Sequence, residues 1–79
     1  MKNAIVSAYR VAYRVGEICR EVGTLPDMSG VEVEMGNMEL AGYDAVDRDS
    51  AQFAYECGLC DGYRGCEPMT DAQINIHFD

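Results

Sequence analysis

The feature that most constrains this chain is the helical periodicity of its first quarter. From Asn3 to Val22 the apolar residues Ala4, Ala8, Val11, Ala12, Val15, Ile18, Cys19 and Val22 recur at intervals of three and four. Arg10, Arg14, Glu17 and Glu21 fall on the other side of the same wheel. That is the period of an amphipathic helix, not of a strand, so whatever fold forms must bury one stripe of a long N-terminal helix. Gly23 is placed to end it as a left-handed cap, and Thr24-Leu25-Pro26-Asp27 reads as the loop that follows. Tyr9 and Tyr13 sit one turn apart on the flank of the stripe, where they are expected to roof the edge of the core.

At 79 residues the chain is one small domain, residues 1–79, near the lower size limit for a core that needs no metal, disulfide or partner. No apolar run approaches the roughly 20 residues needed to cross a bilayer, and Arg10 and Arg14 interrupt the N-terminal segment before a long apolar core develops, so a cytoplasmic location is expected. Its four cysteines are then expected to be reduced thiols or metal ligands.

Residues 30–42, Gly-Val-Glu-Val-Glu-Met-Gly-Asn-Met-Glu-Leu-Ala-Gly, alternate apolar and acidic residues on both sides of Gly36-Asn37. The pattern predicts a hairpin with a two-residue turn. In that register Val31, Val33, Met35, Met38 and Leu40 point inward, and Glu32, Glu34 and Glu39 share the outer face. Glu34 would then oppose Glu39, an arrangement that destabilises a sheet by up to about 1 kcal/mol and so suggests a binding role. Outward residues on one strand lie about 6.8 Å apart, close to two phosphate steps of a DNA strand.

Beyond the hairpin, a shorter helix is expected from Asp44 or Asp47 to about Cys57, capped by either aspartate and ended by Gly58. Its expected apolar face is Val46, Ser50, Phe53, Ala54 and Cys57. Leu59 to Pro68 reads as a glycine-punctuated loop, and Ile74-Asn75-Ile76-His77-Phe78 as a final strand with Ile74, Ile76 and Phe78 inward. The expected fold class is therefore α+β: a long N-terminal helix on a small antiparallel sheet, with a second short helix.

Catalytic signatures are lacking. The chain has one histidine, no phosphate-binding glycine loop, no nucleophile elbow and no His-x-x-x-His spacing, so no catalytic residue and no enzymatic activity are assigned. Cys57-Gly-Leu-Cys60 with Cys66 resembles half of a zinc knuckle or one repeat of the chaperone cysteine-rich domain. A closed site would need Cys19 or His77 as fourth ligand, which leaves a zinc-stabilised adaptor as the alternative reading. The leading expectation includes no cofactor and no metal.

The net charge of −8 is unevenly placed. Residues 1–20 hold Lys2, Arg10, Arg14 and Arg20 against Glu17, giving +3, whereas residues 21–79 hold thirteen acids against Arg48 and Arg64, giving −11. An acidic body of this kind repels nucleic acid and membrane surfaces and favours a basic protein partner. Glu32, Glu34, Glu39, Asp44, Asp47 and Asp49 are the candidate partner-binding residues.

In size, charge and lack of enzymatic motifs, the chain resembles the small acidic phage-encoded anti-CRISPR proteins, many of which mimic DNA. No motif defines that group, so no residue role carries over by position. The resemblance implies an inhibitor of a type I CRISPR-Cas surveillance complex. Such an inhibitor would act in the cytoplasm of an infected bacterium, blocking target DNA at a basic recognition surface through those six acids. The basic first helix departs from a uniformly acidic mimic and offers a second docking face through Arg10, Tyr13 and Arg14.

Overall fold

A computed structural model describes residues 3–27 and 29–78, and for Asn3 and Ser29 the backbone alone. Among the described residues the chain is all helical: α1 (Asn3–Val22), α2 (Ser29–Leu40), α3 (Ala45–Arg64) and α4 (Asp71–Phe78). The α+β expectation is therefore corrected, because the hairpin and the final strand are both helices.

The central unit is α1 against α3. Gly58 lies against the backbone carbonyl of Tyr9, Gly62 against that of Tyr13, and Gly16 against that of Leu59 and the backbone nitrogen of Tyr63. Residue numbers rise together on the two helices, so α1 and α3 run parallel. A methyl group at any of these glycines would collide with main-chain atoms, which is why the contact is lined by Ala8, Ala12, Ala51 and Ala54, all fully buried. Parallel neighbours need a return element, and α2 supplies it. Gly30 lies at the Tyr55 hydroxyl and Glu39 at Arg48, so α2 runs antiparallel to α3.

Helix α3 extends a full seven residues beyond the expected stop at Cys57. Gly58 and Gly62 do not break it, because their lack of a side chain is what admits α1, and that tertiary contact outweighs their poor helix propensity. The real stop is Gly65, at φ 74°, where the amide of Cys66 donates to the Asp61 carbonyl (2.9 Å) and that of Gly65 to the Gly62 carbonyl (3.3 Å). The expected N-cap is present: the Asp44 carboxylate accepts from the Asp47 amide at 2.9 Å. The expected apolar face is displaced. Ala54 is buried, but Val46 and Phe53 are exposed, and Ala51, Tyr55, Gly58, Leu59 and Gly62 take the inner side.

Helix α2 arises from a sequence that satisfies two periods at once. Val31, Met35 and Met38 fit a strand alternation, yet they also sit four and three apart, which places them on one helix face. Val31 and Met38 are buried in the helix and Met35 packs against them, while Val33 is exposed and Leu40 is 90% exposed. An isolated hairpin is marginal without a third strand, and the segment expected to provide one is helical. Gly36-Asn37 is accordingly mid-helix, and the end comes at Gly42 (φ 90°), whose amide donates to the Glu39 carbonyl at 3.1 Å.

Helix α4 opens with a reciprocal cap. The Gln73 amide donates to Thr70 Oγ1 (3.2 Å) and the Thr70 amide to Gln73 Oε1 (2.9 Å), the capping box that Thr-x-x-Gln encodes. Ile74 and Phe78, four apart, are buried, and Ile76 is 85% exposed. Strand alternation would have buried all three.

One polar knot ties the layers together. Tyr9, fully buried, donates its hydroxyl to the Asp61 carboxylate at 2.6 Å and accepts from the Met69 amide at 3.2 Å. Rather than roofing the edge, Tyr9 is the largest fully buried side chain, whereas half-buried Tyr13 donates to the Cys66 carbonyl.

Candidate partner-binding groove

The antiparallel packing of α2 on α3 leaves a groove between the two helices. Val31 and Met35 contribute apolar surface to it, Glu32 and Glu39 come from α2, and Arg48, Asp49 and Gln52 come from α3. Glu32 and Glu39 are two helical turns apart, about 10.5 Å along the axis, so their carboxylates share one side of α2. Both are exposed, and so is Asp49. Arg48 is the single basic lining residue, with Nη1 3.9 Å from Glu39 Oε1. At that separation, and with the Glu39 side chain 74% exposed, the pair contributes little and leaves the acidic excess in place.

Three of the six expected site acids are therefore gathered here: Glu32, Glu39 and Asp49. The other three are placed elsewhere. Glu34 lies toward Tyr55, whose hydroxyl is pushed up chiefly by burial and then by the nearby Glu34 and Asp27 carboxylates. Asp44 caps α3, and Asp47 stands in the first turn, where a carboxylate is favoured by the helix dipole. The opposed Glu34/Glu39 pair and the phosphate-like spacing of Glu32 and Glu34 do not exist in a helix, so neither supports a site. Arg48 and Gln52 were not among the expected residues. The signal for them is the helix period from the Asp44 cap, which sets them one turn apart.

Two basic residues of α1 form ion pairs within the molecule. Arg10 pairs with Asp71 at the start of α4 (2.5 Å), and Arg14 with Glu17 one turn on (3.7 Å). Both pairs are solvent-exposed.

The cysteines do not assemble. Cys57 and Cys60 lie within α3 and Cys66 beyond its cap, and all four thiols are free. Among the described residues no group of three or more His, Cys, Asp or Glu side chains is placed to hold a metal, so neither Cys19 nor His77 completes a four-ligand set. Burial pushes the Cys57 thiol up, with Asp61, Cys60 and Glu56 adding to the shift, which disfavours its thiolate form.

No described helix is long and apolar enough to cross a membrane. No family model, curated protein or solved structure matches the chain.

Proposed function

We propose that the protein acts by surface binding, as an inhibitor of a type I CRISPR-Cas surveillance complex. In this reading the acidic groove between α2 and α3 occupies a basic surface that otherwise reads target DNA. The observation that carries the reading is the grouping of Glu32, Glu39 and Asp49 along one exposed groove, in a segment of charge −11. An acidic protein surface placed in a Lys- and Arg-lined channel releases the same counterions that DNA phosphates release, and its binding weakens steeply with salt. Half-buried Met35, between Glu32 and Glu39 in the sequence, adds apolar contact area that DNA phosphates lack.

Competition with labelled target duplex for a purified type I effector tests this. The wild-type protein is expected to displace the duplex, and the triple variant Glu32→Lys/Glu39→Lys/Asp49→Lys to lose at least about tenfold in affinity along with most of the salt dependence. Unchanged displacement by the triple variant would remove the groove from the mechanism.

A further inference from the structure

Helix α1 carries more apolar surface than α3 covers. Ile5, Ala8, Tyr9 and Ala12 are buried, but Val11 and Ile18 are each 43% exposed and Val22 is 68% exposed, with Val15 half-buried between them. These four follow one another at spacings of four, three and four, the seam of a two-helix coiled coil. Arg14 and Glu21, seven apart and of opposite charge, lie along the same edge of that seam. Both are exposed; Glu21 has no ion-pair partner among the described residues, and Arg14 meets only Glu17, at 3.7 Å in a solvent-exposed pair weak enough to be exchanged.

We propose that this face binds a second copy of the chain, α1 against α1 in antiparallel orientation about a two-fold axis. The charge order selects the occupant. An axis between Gly16 and Glu17 layers Val11 on the second copy's Val22, and Val15 on its Ile18. The same operation brings Arg14 within about 3 Å, along the axis, of the second copy's Glu21, and the symmetric pair forms at the other end. A parallel pairing would instead set Arg14 beside Cys19, with no charge to meet. The seam is self-complementary, and it uses none of the groove residues. Its length of about 16 Å is short for a stable interface, so the association belongs to the weak, micromolar class.

Sedimentation equilibrium on the full chain at 5 to 500 µM tests the assignment, with circular dichroism to verify folding of each variant. Wild type is expected to show a monomer–dimer equilibrium. Arg14→Glu or Glu21→Arg alone converts both pairs to like charges and is expected to weaken the dimer about tenfold. The double exchange Arg14→Glu/Glu21→Arg restores it to within about twofold, and Ile18→Glu abolishes it. A wild-type protein that stays monomeric throughout, as it would if the face served an unrelated helix, overturns the proposal. So does a dimer that responds to neither the single exchanges nor Ile18→Glu, or one that the double exchange fails to restore.

Discussion

At the scale of single residues, Tyr9 ties α1 both to α3 and to the segment before α4. Its ring is buried beside Tyr13 and Phe78, at centroid distances of 6.2 and 6.5 Å, and its hydroxyl joins Asp61 of α3 to the Met69 amide before α4. Removing that hydroxyl strands two partners, so Tyr9→Phe is expected to cost about 1–3 kcal/mol in a urea melt. Burial, with the hydrogen bond to Asp61, pushes its pKa up from the ordinary 10.0 to about 12. The unfolded chain then loses this proton first, so the contribution is intact below pH 10 and is lost as pH rises toward 12. One of the five tyrosines should therefore ionise last in an ultraviolet titration, and Tyr9→Phe should remove that component. None of this was readable from the sequence. Helical spacing put Tyr9 at the stripe's flank, and only the distant Asp61 explains a buried hydroxyl.

At the scale of elements, what the sequence conveyed depended on whether a residue's meaning was local. The first helix was readable because its period and the Gly23 cap are both local, and so was the Asp44 start of α3. The glycines were not. Gly36, Gly58 and Gly62 share one local meaning, interruption, but differ in what faces them. A methyl at Gly36 meets nothing within 4 Å, whereas at Gly58 and Gly62 it meets the α1 backbone. Gly36→Ala is therefore expected to stabilise the protein by about 0.5–1 kcal/mol, the gain for an open helix site. Gly58→Ala and Gly62→Ala should each destabilise it by about 1–3 kcal/mol, since the overlap outweighs the propensity gain. Thermal melts followed by circular dichroism separate the two outcomes. A hairpin turn at Gly36-Asn37 would give the opposite sign for Gly36→Ala, because that turn requires positive φ. The alternation of residues 30–42 misled for a related reason: Val31, Met35 and Met38 obey both periods, and only the exposure of Val33 and Leu40 shows which one the fold uses.

At the scale of the whole molecule, helix formation redistributes the acids. The sequence reading spread significance over six carboxylates, three on the expected hairpin and three at the start of the next helix, and the observed helices gather Glu32, Glu39 and Asp49 while assigning Asp44 to a cap. Half of the candidate site was thus readable from charge alone. Its geometry was not, because charge reports position in the chain and only packing decides which carboxylates converge. The molecule is a plate of 36 × 25 × 13 Å, thin enough that the groove is an open surface feature rather than an enclosed pocket. The central claim is that location, and not total charge, gives the acids their function. Two charge-matched variants test it in a titration against a type I effector: Glu32→Gln/Glu39→Gln in the groove, and Glu56→Gln/Glu67→Gln outside it, each two charges less acidic. Groove location predicts that the first pair weakens binding about tenfold while the second stays within about twofold of wild type. Equal losses from both pairs would contradict it.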